Sequence, residues 1–285
     1  MTPADPILIT GGGGMLALAF KRLLPKAHFV DKTGLDIAEE HAVRKVFAEL
    51  RPKLLVNCAA YTKVDLAEQN VELANQINGH AAGILARVCK EHDTMLVHYS
   101  TDYVFDGTLR RPLKPDDPVG PQSAYGRSKL LGEQLLWQNP PLRWLLIRTA
   151  WLYGPGGPCF PQAILNAARA GKPLNVVDDQ LGCPTFTFDL ARATIELIEH
   201  DAPSGIWHVV NDGEVTWHDF AAAILEEFKV PANLGRTTST EWKKTRPNSA
   251  IRPAYSVLDI VPFEKLTRHR TPHWREALKN YARQA

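Results

Sequence analysis

The chain has little of what marks an extracellular, membrane or nucleic-acid-binding protein. It has only four cysteines in 285 residues, Cys58, Cys89, Cys159 and Cys183. None forms a C-x-x-C pair and none has a histidine at ligand spacing, which excludes a disulfide framework and argues against a zinc site. No apolar run approaches the roughly 20 residues that cross a bilayer. The opening stretch, residues 1–6, lacks the charged and apolar regions of a signal peptide, so the expected location is cytoplasmic. One-signed charge is missing too: 33 Lys and Arg against 31 Asp and Glu give a formal net charge of +2. With no basic block, neither nucleic acid nor a membrane surface is an expected partner. There is no internal repeat, low-complexity tract or flexible linker.

What is present is the material of a globular α/β protein. The hydrophobic fraction of 45% and charged fraction of 22% are ordinary. The length fits two domains or one large unit. Short apolar runs at 6–10, 28–31, 53–60, 95–100 and 144–149 read as buried strands. Helical periodicity fills the gaps: 15–24, 39–50, about 66–91 with a bend at Gly79 or Gly83, and 125–138. This alternation predicts a doubly wound, Rossmann-type parallel sheet with right-handed crossovers.

Gly11-Gly12-Gly13-Gly14 lies between the first strand and the first helix. Glycines there permit positive φ and let a pyrophosphate approach the helix N-terminus, beside Met15 and Leu16. The alternative is a plain tight turn. Asp31 closes the second strand, 20 residues after Gly11, where a carboxylate would accept bonds from a ribose. It would repel a 2′-phosphate that the adjacent Lys32 would attract, so NADH and NADPH both stay open. Asp36, followed by Ile37, is a cap or an adenine contact. Ala59 and Ala60 end the third strand in small residues that leave room for a ligand.

Tyr125 and Lys129 are four residues apart, on one face of a helix. A free phenol has a pKa of about 10, and a neighbouring ammonium favours the phenolate. Such a pair moves a proton at a substrate oxygen. The competing reading is a solvated helix face with a half-buried tyrosine.

The glycine-proline stretch 154–158 marks a boundary. Residues 1–150 are expected to bind the dinucleotide, with a return contribution from about 186–210, and 151–285 mainly a smaller α/β substrate domain. There the pattern gives helices at 161–170, 187–199, 217–228 with Thr216 as N-cap, and 274–282. Strands fall at 174–177 and 206–210. The stretch 232–248 carries no clear pattern. His98 reads as a satisfied core histidine, Asp178-Asp179 as a turn or cap, and the tryptophans other than Trp151 as packing.

Seven ordered motifs then make the chain recognisable: Thr10-Gly11-x-x-Gly14, Asn57-Cys58-Ala59-Ala60-Tyr61-Thr62-x-Val64-Asp65, Ser100-Thr101-Asp102-Tyr103-Val104-Phe105-Asp106-Gly107, Tyr125-Gly126-Arg127-Ser128-Lys129, Arg148-Thr149-Ala150-Trp151-Leu152-Tyr153-Gly154, Val177-Asp178-Asp179-Gln180-x-Gly182-x-Pro184-Thr185, and Arg252-Pro253-x-x-Ser256-x-Leu258-Asp259. Together, over nearly the whole chain, they resemble the extended short-chain dehydrogenase/reductases, and among them the reductases of dTDP-4-dehydro-6-deoxyhexoses. The resemblance implies an NADPH- or NADH-dependent enzyme with Thr101, Tyr125 and Lys129 as its catalytic group. Thr101 would bind the C4 oxygen, Tyr125 would protonate it, and Lys129 would hold the nicotinamide ribose and lower the Tyr125 pKa. Ala59, Ala60, Tyr61 and Ser100 would line the cofactor cleft. Asp102, Val104, Phe105 and Trp151 would meet the nucleotide sugar.

Departures from the pattern bear on these expectations. Ala17 replaces the last glycine of the turn, and Cys159-Phe160 stands where Asn-Phe is expected. Some relatives form dimers through a metal held by glutamates. The first helix here has no carboxylate at 17–20, so a homodimer is possible but no metal site is expected. A dehydratase would need Asp-Glu after the catalytic threonine, and here Tyr103 follows Asp102. A non-catalytic binding subunit would depart at Thr101-Asp102 and at Trp151, which this chain keeps.

Overall fold

The computed structural model describes residues 5–284. Its first half alternates strand and helix: β1 (Ile7–Thr10), α1 (Met15–Leu23), β2 (His28–Val30), α2 (Glu40–Leu50), β3 (Leu54–Asn57), α3 (Val64–Ala67), α4 (Val71–Ala74), α5 (Ala81–Glu91), β4 (Met95–Thr101), α6 (Ala124–Gln138) and β5 (Trp144–Thr149). The second half adds β6 (Leu152–Tyr153), α7 (Phe160–Arg169), β7 (Leu174–Val177), β8 (Leu181–Gly182), β9 (Thr185–Phe186), α8 (Thr187–Glu199), β10 (Gly205–His208), β11 (Val215–Thr216), α9 (Trp217–Glu227), β12 (Leu234–Thr237), α10 (Ser239–Thr245), α11 (Val261–Thr267) and α12 (Trp274–Ala282).

Six strands form one parallel sheet in the order β10-β5-β4-β3-β1-β2. β1, β3, β4 and β5 are buried along their whole length, as strands covered on both faces must be. Alternate side chains of β1 therefore meet different helices. Ile7 and Ile9 pack with α1, α8 and Phe263, whereas Leu8 packs with α2 and α5. The chain leaves β1 toward β2 on one side and β3 on the other. Ligands bind doubly wound sheets at such a reversal, beyond the carboxyl ends of the strands.

A second core lies beyond the sheet. Tyr153, Phe186, Phe220 and Tyr281 are buried together there, and three two-stranded ladders, β6–β9, β7–β12 and β8–β11, frame it. The element β10 returns from this half to pair with β5.

Three local expectations need correction. The helix foreseen over 66–91 is interrupted after α3, and a π-helical turn, Asn75–His80, joins α4 to α5. Gly79 serves close packing there: a Cβ on it would sit 2.5 Å from Leu131, and one on Gly132 would sit 2.2 Å from the Asn78 carbonyl oxygen. The stretch 232–248 holds β12 and α10. Its signal was a capping box, in which Thr238 accepts from the Glu241 amide and Glu241 reaches back to the Thr238 amide. α11 also went unforeseen. It has a proline in its first turn, and buried Phe263 anchors it to the sheet core.

Candidate active site

A cleft of about 720 Å³ lies over the carboxyl ends of β1 to β5. At its floor, Gly11 turns the chain with φ +69°, and a Cβ there would meet the Ala59 amide nitrogen at 2.7 Å. Gly13 faces open space, and Gly14 caps α1 without any side-chain hydrogen bond. No acidic residue occupies the first turn of α1. Its free N–H groups and dipole thus fit a diphosphate. Met15 and Leu16 line the cleft, but Gly12 does not: its amide donates inward to Val30 O at 2.9 Å. Ala17 is fully buried in the α1–α8 packing, where a small side chain suffices.

Asp31, Lys32, Asp36 and Ile37 line the far end. The Asp31 carboxylate folds back on its own loop, accepting from the Thr33 amide and hydroxyl and the Gly34 amide. The Thr33 hydroxyl contributes most to holding its pKa below the usual range. Asp36 caps the Ala38 amide and lies 3.7 Å from the exposed Lys32 ammonium.

Ala59 and Ala60 form the next part of the wall, with Cys58, whose thiol burial pushes up. Tyr61 is not on the wall. Its backbone N–H and C=O are both held by the Asn78 amide, at 2.8 and 3.0 Å. Asn78 also donates to Ser128 Oγ at 2.9 Å, and Ser128 donates to the Tyr125 carbonyl at 2.7 Å. The π-helical turn thereby ties the β3 loop to the helix that carries Tyr125.

Ser123 accepts from the Gly126 amide and starts α6. Tyr125 and Lys129 both enter the cleft, together with Ser100, Thr101 and Asp102 at the end of β4. Thr101 Oγ1 donates to Asp102 Oδ1 at 2.9 Å and accepts from the Tyr103 amide at 3.2 Å. Burial pushes the Tyr125 phenol up to about 12; the Asp102 charge adds to this and the Thr101 hydroxyl opposes it. Burial brings Lys129 down to about 8 against the pull of Glu133. The expectation that Lys129 lowers the Tyr125 pKa is not met: Lys129 is not among the groups that shift the phenol, whose rise is set first by burial. Asp102, 1% exposed, is raised by burial to about 6. The buried hydroxyls Ser100 Oγ and Thr149 Oγ1 have no hydrogen-bond partner among the described residues. Both residues line the cleft, so polar groups of a bound cofactor fit there.

At the other end Trp151, with φ +46°, stacks on Trp217. A Cβ on Gly182 would lie 2.6 Å from the Trp151 indole. Val104 and Phe105 do not reach the cleft. They are 0% and 1% exposed and pack beneath the turn with Ala150, Val210 and Leu258. Tyr103, between them and Asp102, lines the cleft instead and meets Tyr125 edge-on at 5.6 Å. Sequence reasoning also missed Thr149 and Trp217; the only available signals were a strand's carboxyl end and a helix's first residue. Cys159 lies behind the wall, its sulfur 3.8 Å from Gly154 O and 3.9 Å from the Tyr281 hydroxyl.

Elsewhere, His98 is only half satisfied: Asn57 Nδ2 lies 2.9 Å from its Nδ1, and its buried Nε2 has no partner among the described residues. Asp179 accepts from the Ser239 amide and hydroxyl, a capping role, and Asp178 pairs with Arg236. Among the described residues, no cluster of His, Cys, Asp and Glu could hold a metal, and no helix is long and apolar enough to cross a membrane.

The family model described as the RmlD substrate binding domain matches residues 5–285. The spore coat polysaccharide biosynthesis protein SpsK of Bacillus subtilis is 40% identical over 279 residues, 96% of each chain. The dTDP-4-dehydrorhamnose reductase of Streptomyces griseus is 39% identical over 288 residues, 97% of this chain and 92% of that one. The crystal structure of dTDP-4-dehydrorhamnose reductase from Bacillus anthracis in complex with NADP superposes with a TM-score of 0.93 at 31% identity, covering both chains completely. The chain belongs to the RmlD substrate-binding-domain family.

Proposed function

We propose that this member of the family reduces the C4 ketone of dTDP-4-dehydro-6-deoxy-L-mannose to give dTDP-L-rhamnose. The enzyme is an oxidoreductase of the dTDP-4-dehydrorhamnose reductase type, and its cofactor is a nicotinamide dinucleotide. The observation that carries the reading is the Thr101–Tyr125–Lys129 group, set in one cleft between the glycine turn before α1 and the Trp151–Trp217 wall.

A bound NADH or NADPH supplies the hydride that reaches C4. Tyr125 holds the proton for the C4 oxygen. With its pKa raised to about 12, it stays protonated at neutral pH. The oxygen left by hydride addition is an alkoxide, comparable in basicity to hydroxide, whose conjugate acid water has a pKa of about 15.7. Transfer from Tyr125 is therefore downhill even from a raised pKa. Lys129, brought down to about 8, returns a proton to the phenolate and holds the ribose. Thr101 aligns the carbonyl against Tyr125. Gly11, Gly13, Gly14, Met15 and Leu16 hold the diphosphate, with Ala59, Ala60 and Ser100 along the dinucleotide. Asp102 and Trp151 contact the sugar.

A homodimer and a cytoplasmic location belong to the same reading. Reduction of another dTDP-4-keto-6-deoxyhexose is the alternative. Incubating the protein with each dTDP-4-dehydro-6-deoxyhexose and NADH or NADPH, and identifying the product by NMR, separates the two. No coenzyme oxidation with any of them would refute an enzymatic role.

A further inference from the structure

The helix that carries Tyr125 needs help at its start. The chain reaches α6 from residues 106–122, most of them exposed, and the first N–H groups of any helix have no partner within it. The first intrahelical bond runs from the Arg127 amide to Ser123 O at 2.9 Å, so Tyr125 lies ahead of it. Two side chains hold this turn. Ser123 Oγ accepts from the Gly126 amide at 3.1 Å. Glu68 Oε1 accepts from the Ala124 amide at 2.8 Å, across 56 residues of chain. Tyr125 thus sits between two capped amides. Glu68 lies outside the seven motifs, and the reaction gives it no task.

The base from which Glu68 reaches is fixed. The residue follows α3 directly and is half-buried. Asp65 of α3 accepts from the Ala250 amide at 2.9 Å and pairs with Arg252 at 3.0 Å. Ala67 of α3 forms a small apolar cluster with Ala74 and Ala124, on which Tyr61, Val71 and Tyr125 pack. The turn after Thr101 backs onto the same place. A Cβ on Gly126 would lie 2.3 Å from Tyr103 O, and the Tyr103 ring meets Tyr125 edge-on at 5.6 Å. The phenol therefore stands where three segments meet, and the Glu68 bond joins one of them to the backbone beside it. A carboxylate also suits a helix N-terminus, where the dipole attracts negative charge.

We propose that Glu68 is a positioning residue for the reduction: by holding the Ala124 amide it sets the first turn of α6 and so the place of the Tyr125 hydroxyl. This rests on the reductase reading above. Glu68 does not line the cleft, so its effect is confined to where the acid stands. The glycine turn before α1 and the end of β3 hold the dinucleotide without it. A cap that only stabilised the fold would change the melting temperature without singling out kcat.

The test compares the native protein with Glu68→Ala and Glu68→Gln. Glu68→Ala should cut kcat by about 10²-fold, the scale of a small misplacement. Coenzyme Kd should hold, and the melting temperature should fall by only a few degrees, as for a lost cap. Glu68→Gln keeps an acceptor for the Ala124 amide and should restore most of kcat. Amide NMR follows the contact itself without substrate: the Ala124 proton should move upfield in Glu68→Ala and return in Glu68→Gln. In a Tyr125→Phe background, Glu68→Ala should cost little more, since the group it places has gone. An unmoved Ala124 proton, unchanged kcat in Glu68→Ala, an equal loss in Glu68→Gln, or losses that simply multiply in the double variant overturns the proposal. If Glu68→Ala does not fold, Glu68→Asp, one methylene shorter, decides instead: a fall in kcat with unchanged coenzyme Kd supports it, and native kcat overturns it. A native protein that reduces no 4-keto sugar nucleotide refutes the reductase reading, while the Ala124 shift still decides the Glu68 contact.

Discussion

The indoles of Trp151 and Trp217 lie 3.5 Å apart at their centroids and 8° from parallel. Trp151 follows the end of β5, and Trp217 is the first residue of α9. Trp151 holds a left-handed backbone conformation, φ +46°, which costs about 1–3 kcal/mol for a side chain of this size. The stack, with Phe160 at 4.5 Å from Trp217, offsets that strain. Trp217→Ala should therefore free the Trp151 ring. Substrate KM is expected to rise about tenfold or more, with coenzyme Kd unchanged, by steady-state kinetics and titration. An unchanged KM would show that Trp151 is held by its backbone alone.

Tyr125→Phe keeps the ring against Tyr103 and removes the acid. Folding and coenzyme binding should persist while kcat falls by roughly 10²–10⁴-fold. Lys129→Met should also raise coenzyme KM, because a ribose contact goes with the charge. Thr101→Val should lower kcat by misaligning the carbonyl. Near-native turnover in Tyr125→Phe on a substrate the native protein reduces would refute its role.

Asp102 combines a place in the site with a cost to the fold. Its pKa is raised in the folded state, so between about 4 and 6 the native chain binds more protons than the unfolded one. Its contribution to stability accordingly falls as pH rises through that window, by about 1.36 kcal/mol per pKa unit. Asp102→Asn should raise stability at pH 7 by about 1–3 kcal/mol, show little gain at pH 4, and lower kcat. Urea denaturation at both pH values checks the sign, and an equal change at both would mean the carboxyl is not the source.

Coenzyme choice should be relaxed. Asp31 spends one carboxylate oxygen on its own loop, and Lys32 stands exposed beside it. The values of kcat/KM for NADH and NADPH should differ by less than about a thousandfold, some 4 kcal/mol. Asp31→Asn should shift the balance toward NADPH; a shift toward NADH would contradict this account.

Glu133 and Arg148 form a two-pronged ion pair at 3.0 and 2.7 Å, their side chains 6% and 3% exposed. Glu133→Gln leaves a buried guanidinium without its counter-charge and should cost about 3–5 kcal/mol. A double variant with Arg148→Met should recover part of that loss in thermal denaturation.

The sequence by itself determined the alternation of strand and helix, the glycine turn before α1, and the four-residue spacing of Tyr125 and Lys129. These signals are local: a period of two or 3.6, or a residue that tolerates positive φ. Tertiary structure decided which side chains around those points face the cleft. Val104 and Phe105 turn into the core while Tyr103 turns out, because the turn after Thr101 is set by packing against Val257, Leu258 and Ile260, far along the chain. It also decided the sign of the Tyr125 shift. Spacing alone suggests only an ammonium one turn from the phenol; burial and the Asp102 charge, which depend on everything folded around it, raise the pKa.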